Sequence, residues 1–99
     1  MDRYRKWEDV LDEDLQDPEE AALYLDACLA EGDPDVFLLA LRDVARARGG
    51  IAALATVAGL NREHLYRMLS EDGNPRIRSL EPILRALGCR LGISLKESA

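Results

Sequence analysis

The side chains best suited to specific recognition chemistry lie close together, between Asn61 and Ser70. The amide of Asn61 can pair with adenine, and the guanidinium groups of Arg62 and Arg67 can bind guanine or phosphate oxygens. The Tyr66 hydroxyl can bind a phosphate, and its ring can contact a thymine methyl group. No general base stands at helical spacing from Ser70, and the sequence shows no cluster of carboxylates with histidine. These residues therefore indicate contact with DNA, and an enzyme is not expected.

Helical geometry predicts which of these side chains face outward. At 100° per residue, Leu65, Met68 and Leu69 point inward, His64 lies at the boundary or in the core, and the polar residues point away. Glu63 could accept a hydrogen bond from cytosine or simply favour the positive end of the helix. The following loop places Asn74, Arg76 and Arg78 where they could bind phosphates. The competing interpretation is that its two arginines are only solvated. The predicted DNA-binding residues are Asn61, Arg62, Glu63, Tyr66, Arg67, Ser70, Asn74, Arg76 and Arg78.

Two short helices must hold this face in position. A helix over Ile51–Ala58, a turn at Gly59 and a helix starting after the N-cap Asn61 have the spacing of a helix-turn-helix motif. The motif requires a small residue in its first helix, a turn glycine and apolar packing positions, and seven of seven such positions agree: Leu54, Ala55, Ala58, Gly59, Leu60, Leu65 and Met68. A plain pair of antiparallel helices without a nucleic-acid role is the alternative.

The preceding residues predict further helices. Residues 1–16 form either a short helix or an arm that orders on a partner. Asp17-Pro18 and Asp33-Pro34 each combine an N-cap with proline at the first helical position. We expect Ala22, Leu25 and Leu29 to face inward from the first of these helices, and Phe37, Leu41, Val44 and Ala45 from the second, which extends to about Arg48.

The C-terminal part predicts one more helix and a strand. Ser79 is the expected N-cap of a helix over Leu80–Leu87, and residues 89–95 alternate apolar and polar in the manner of a half-buried strand. A single strand leaves unpaired edges, so we expect it to pair with the same strand of a second copy. The predicted dimer interface comprises Leu91, Ile93 and Leu95. The expected fold is thus mainly α, a lambda-repressor-like helix-turn-helix bundle with an N-terminal helical extension (residues 1–31) and a DNA-binding domain ending in a dimerisation strand (residues 32–99).

The net charge of −6 is unevenly distributed. Residues 1–41 carry thirteen acidic and three basic side chains, whereas residues 42–99 carry ten basic and six acidic ones, and nine of those ten bases are arginine. The acidic half is either a solvated surface or a binding site for a basic protein. Cys28 and Cys89 are expected to be buried free thiols, and one histidine makes a zinc site improbable. We expect a cytoplasmic protein with no cofactor, no metal and no membrane segment.

From Gly32 to Leu95 the chain resembles the addiction-module antidote family, the antitoxins of host-inhibition-of-growth type. The resemblance rests on the segments Gly32–Asp35, Ala40–Gly50, Gly59–Arg67, Gly73–Pro75 and Leu84–Gly88. It implies an antitoxin that neutralises a small basic toxin of the RelE/ParE superfamily and represses the shared operon. Proteins of this class often open the first motif helix with a polar residue that binds a phosphate. Here Ile51–Ala53 is apolar, so that contact is missing or replaced.

The leading hypothesis is therefore an antitoxin whose Asn61–Ser70 helix contacts the major groove. Its toxin would bind the acidic N-terminal part, through Tyr4, Trp7, Leu11 and Leu15, or the second apolar face of the Asp33–Arg48 helix. Two alternatives remain open on the residues alone. One is a stand-alone repressor of phage type, and the other is a protein-interaction module that has lost DNA binding.

Overall fold

The computed structural model describes residues 7–70 and 73–96, and within those residues the chain forms six helices. They are α1 (Trp7–Asp14), α2 (Pro18–Ala30), α3 (Pro34–Ala47), α4 (Ile51–Ala58), α5 (Arg62–Met68) and α6 (Ile77–Ala86). The helix α3 packs against α1, α2 and α4, and α4 in turn packs against α5 and α6. The predicted mainly helical class is confirmed.

The helices α2 and α3 begin with the same local device. The Asp17 carboxylate accepts the Glu19 N–H at 3.0 Å, and the Asp33 carboxylate accepts the Asp35 N–H at 2.9 Å. Proline occupies the first helical position in both, where a missing N–H costs no intrahelical hydrogen bond. Both predicted helix starts are confirmed.

One hydrophobic cluster joins all six helices. The central helix α3 contributes Phe37, Leu38, Ala40, Leu41, Val44 and Ala45. The segment before it contributes Leu11, Leu15, Ala21 and Leu25, and the segment after it contributes Leu54, Ala55, Leu65, Met68, Leu69, Ile83, Leu84 and Leu87. Among the described residues, no polar or charged residue is classed as buried in this cluster. Apolar burial is therefore the main force that holds the helices together.

The inward face of α2 differs from the prediction. Ala21 and Leu25 are buried, whereas Ala22 and Leu29 are exposed. Tyr24 and Cys28, which lie one helical turn apart, complete the packed face. The packed face is rotated by about one residue from the predicted one, because it is set by how α2 packs against α3 and not by periodicity alone.

The start of α6 also differs from the prediction. The helix begins at Ile77, and the Ser79 N–H donates to the Arg76 carbonyl at 3.0 Å, a bond made by a residue already inside the helix. Ser79 is therefore not the N-cap. Pro82 lies inside the helix, where its missing N–H removes one backbone hydrogen bond.

The predicted strand over residues 89–95 is wrong for the single chain, since residues 89–96 have no regular secondary structure. Leu91 is 39% exposed, and Ile93 and Leu95 are almost fully exposed at 104% and 97%. A strand needs a neighbour for its backbone N–H and C=O groups, and the described part of this chain provides none. Pairing with a second copy stays a prediction.

Polar contacts at the surface connect α1, α2 and α3. The Tyr24 hydroxyl donates to the Asp43 carboxylate at 2.7 Å. Arg46 donates to Asp43 at 3.2 Å and to Asp12 of α1 at 2.9 Å. Burial raises the pKa of Tyr24 above its ordinary value, and the hydrogen bond to Asp43 raises it further. Burial also raises the pKa of the half-buried Cys28 thiol.

We predict that Tyr24→Phe lowers the free energy of unfolding by about 1 kcal/mol at pH 7–8, because the Asp43 carboxylate loses its phenol donor. Since the pKa of Tyr24 is raised by folding, the phenol stabilises the fold below about pH 10, and this contribution falls at higher pH. Urea unfolding of the parent and the variant measures the difference. We expect the difference between the two proteins to stay constant from pH 8 to about pH 9 and to shrink above about pH 10.

The matched control is Tyr66→Phe, which alters an exposed phenol on α5. It should change the free energy of unfolding by less than about 0.5 kcal/mol. Equal destabilisation by the two substitutions would contradict a stabilising role for the bond between Tyr24 and Asp43.

Candidate nucleic-acid interface

The turn between α4 and α5 depends on Gly59. Its backbone is left-handed, with φ 71° and ψ 32°, a conformation that costs other residues strain. The Leu60 N–H donates back to the Ala55 carbonyl at 2.9 Å, and the Gly59 N–H donates to Thr56 at 3.3 Å. This pair of hydrogen bonds is a Schellman closure, and it ends α4 three residues before α5 begins. The bounds predicted for α4 and for this turn are confirmed.

The first residue of the predicted interface, Asn61, starts α5. Its backbone is extended, and its side-chain oxygen accepts the His64 N–H at 3.0 Å. This confirms the predicted N-cap. Bidentate pairing with adenine uses both the oxygen and the NH₂ group of an amide. Because the oxygen already caps the helix, the NH₂ group is the part of Asn61 left to donate.

Three apolar side chains attach α5 to the rest of the protein. Leu65 has no exposed surface, and Met68 and Leu69 are 7% and 1% exposed. The predicted inward face is therefore confirmed. His64 is exposed, so the prediction that it lies in the core or at the boundary is wrong. Leu65, Met68 and Leu69 are the buried residues of the Asn61–Ser70 segment in the hydrophobic cluster.

The opposite face of α5 carries the predicted polar residues. Arg62, Glu63, Tyr66 and Arg67 are all exposed. Within residues 7–70 and 73–96, no carboxylate forms an ion pair with Arg62 or Arg67. Both guanidinium groups are exposed, on a helix fixed by its apolar side.

Ser70 does not share this outward face. Its hydroxyl donates to the Arg67 carbonyl at 2.6 Å, and the residue is half-buried beside α3. Asn74, Arg76 and Arg78 are exposed, but Asn74 borders the connection between α2 and α3 instead of the outward face of α5. The structure therefore does not bring all nine predicted residues to one surface.

The loop after α5 begins with an unusually close approach. A side chain at Gly73 would put its Cβ 2.0 Å from the Met68 carbonyl oxygen, so only glycine fits there. The Gly73 N–H donates to the Ser70 carbonyl at 2.8 Å. This contact holds the chain against the C-terminal end of α5, and the nearby residues 71 and 72 lie outside the described part.

Arg42 is a candidate functional residue that the sequence analysis missed. It lies on the exposed side of α3 and lines a cleft together with Tyr66 and Ser70 of the α5 segment. Its spacing of four residues from Arg46 on one helix was the available signal. That spacing could not show which side of α3 faces α5.

The residues predicted to bind a toxin do not form one exposed surface in the described part of the chain. Tyr4 and the side chain of Trp7 lie outside what the structure describes. Leu11 and Leu15 are 8% and 1% exposed and belong to the hydrophobic cluster. A partner would reach either leucine only if α1 left α3. The exposed part of the acidic half is instead the outer side of α2, where Leu23 is 65% exposed among Glu19, Glu20 and Asp26.

The structure also bears on metal binding and on membrane-spanning helices. In the described residues, no group of three or more histidine, cysteine, aspartate or glutamate side chains is arranged to hold a metal ion. None of the described helices is both long and apolar enough to span a bilayer. Both cysteines are free thiols, half-buried instead of buried as predicted.

Comparison with known proteins identifies the family. A profile of the family described as "Probable addiction module antidote protein" matches residues 7–95. An "Uncharacterized protein" of Haemophilus influenzae is 38% identical over 81 residues, which cover 82% of each chain. No solved structure matches the chain. Because the family match includes all six helices and the turn at Gly59, the chain belongs to the family of probable addiction module antidote proteins.

Proposed function

We propose that the chain is the antitoxin of a type II toxin–antitoxin module, and that it represses its own operon through a helix-turn-helix motif formed by α4 and α5. The observation that carries the DNA-binding part is the exposed face of α5, where Arg62 and Arg67 have no carboxylate partner among the described residues. Family membership supports the antitoxin part. The lambda-repressor-like arrangement predicted from the sequence belongs to this proposal.

The geometry of α5 favours entry into a major groove. In helix-turn-helix proteins the second helix lies in the groove, and its N-terminal residues contact base edges. Arg62 and Glu63 occupy that end of α5, and Tyr66 and Arg67 follow one turn later on the same exposed side. Arginine can bind guanine with two hydrogen bonds, which gives this face the means to select sequence as well as to bind phosphates.

The toxin-binding surface is proposed to be the outer side of α2. Leu23 offers an exposed apolar anchor, and Glu20 and Asp26 lie one turn before and after it. A basic toxin of the RelE/ParE type, which the family resemblance implies, has the complementary charge. Apolar anchors surrounded by complementary charges are the usual centres of tight protein interfaces.

The active repressor is proposed to be a homodimer joined at residues 89–96. Leu91, Ile93 and Leu95 are exposed, and no backbone hydrogen bond is described for residues 90–96, as expected of a strand that pairs only with a second copy. Such a dimer would present two copies of α5 about 34 Å apart, one turn of DNA.

For DNA binding, we expect the double substitution Arg62→Ala, Arg67→Ala to weaken binding at least about 30-fold, since each specific arginine contact contributes about 1–3 kcal/mol. Fluorescence anisotropy with a duplex from the region upstream of this gene measures the effect. The matched control is Arg85→Ala, Arg90→Ala, which removes two exposed arginines from the α6 segment. Unchanged binding by the first variant would refute the DNA-binding proposal.

For toxin binding, we expect Leu23→Arg to reduce co-purification of the basic product of the adjacent gene by at least about tenfold, because a charge replaces an apolar anchor. Val57→Arg is the control, since Val57 is 70% exposed on α4, away from the proposed surface. The Arg62→Ala, Arg67→Ala variant should keep full toxin binding. Equal capture by the Leu23 and Val57 variants would place the toxin elsewhere.

For the dimer, we predict that Ile93→Lys shifts the protein from dimer to monomer in analytical ultracentrifugation at micromolar concentration. A lysine at this position opposes its own copy across a symmetric interface, and like charges directly opposite destabilise paired strands. A parent protein that stays monomeric up to a concentration of about 1 mM would refute the dimer, because any dimer would then have a Kd weaker than that value.

A further inference from the structure

Two adjoining clefts lie on the surface between α3 and α5, and Arg42 lines both. Asp35 and Ser70 line the first cleft. Arg46 and Tyr66 line the second, together with Ser70 and the residues that start α4. Tyr66 belongs to the exposed face of α5, so the second cleft opens at the edge of the proposed DNA-binding surface.

The second cleft holds positive charge that the chain compensates only in part. Arg42 and Arg46 are one helical turn apart on α3, a spacing at which like charges repel. Arg46 is paired with Asp12 and Asp43. Arg42 is exposed, and in the described residues no acceptor binds its guanidinium group. Asp35 lines the first cleft with Arg42, and the two side chains form no ion pair.

The same cleft contains the beginning of α4. Its N-cap is Gly50, which has no side chain to accept a hydrogen bond from the first helical turn, and that turn contains no acidic residue. The cleft therefore offers backbone N–H donors at the start of α4 as well as the donors of the arginine side chains.

We propose that this second cleft binds a backbone phosphate of DNA through Arg42, and that Asp12 of α1 competes with that phosphate for Arg46. The inference rests on the proposed binding of DNA by α5, because a duplex docked on α5 brings phosphates to the edges of the occupied groove. Arginine suits this ligand, since its planar group binds phosphate oxygens with two hydrogen bonds.

The geometry of Asp12 explains the competition. The Arg46 Nε donates to the Asp12 carboxylate at 2.9 Å, and the two side chains are 42% and 30% exposed. An ion pair this accessible to solvent is weak, so a phosphate arriving in the cleft can exchange with the carboxylate. The position of α1 then sets how many positive charges the cleft offers to DNA, and α1 acts on DNA binding without touching the duplex.

The first test substitutes Arg42→Gln and measures anisotropy with the same upstream duplex at several salt concentrations. Loss of one phosphate contact should weaken binding about tenfold and reduce the slope of log affinity against log salt by about 0.9. Arg90→Gln, which removes an exposed arginine that borders α2, should leave that slope unchanged. Circular dichroism verifies that both variants are folded.

The second test compares Asp12→Asn with Asp14→Asn. Both remove one negative charge from α1, but only Asp12 contacts Arg46 among the contacts described for the two residues. Asp12→Asn should tighten DNA binding about two- to fivefold, the range expected for release of an exposed ion pair. The gain should disappear when Arg46→Gln is also present. Asp14→Asn should produce a smaller change that persists with Arg46→Gln.

The outcomes separate this inference from the function on which it rests. A parent chain that binds no duplex at low salt refutes both the DNA-binding proposal and the phosphate cleft. A parent chain that binds, together with an Arg42→Gln variant of unchanged affinity and salt slope, refutes the cleft alone. Equal effects of Asp12→Asn and Asp14→Asn refute the competition for Arg46.

Discussion

The burial of one side of α3 is the constraint on which the rest of the structure depends. Leu41, Val44 and Ala45 have no exposed surface, and α1, α2 and α4 all pack against this helix. The helices α5 and α6 reach the bundle through α4. Because protein cores are close-packed, a shift of α3 would displace both the outer side of α2 and the exposed face of α5. The two proposed binding surfaces are thus held at a fixed distance by one element.

The sequence predicted those parts of the fold that local hydrogen bonds determine. The Asp-Pro starts of α2 and α3, the cap at Asn61 and the glycine closure at Gly59 each satisfy backbone groups within a few residues. Such contacts depend on neighbouring residue types alone, so a single sequence contains the information. The orientation of α5 was also predictable from nearby residues, since Leu65, Met68 and Leu69 form its one strongly apolar face.

Two errors and one omission concern features set by residues distant in sequence. The packed face of α2 depends on how it lies along α3, so the spacing of Leu25 and Leu29 pointed to the wrong stripe. Alternation over residues 89–95 predicts a strand only where a second strand exists. The role of Arg42 in the cleft was invisible for the same reason, because the cleft joins residues more than twenty positions apart. Local patterns do not encode these encounters.

The half-buried thiol of Cys28 has a chemical consequence. Its raised pKa leaves little thiolate at neutral pH, and the thiolate is the form that attacks peroxides and alkylating agents. Cys28 also packs against the cluster that α2 shares with α3. The half-buried thiol therefore reacts slowly while α2 and α3 are packed together, and local opening that exposes it further raises its rate of alkylation.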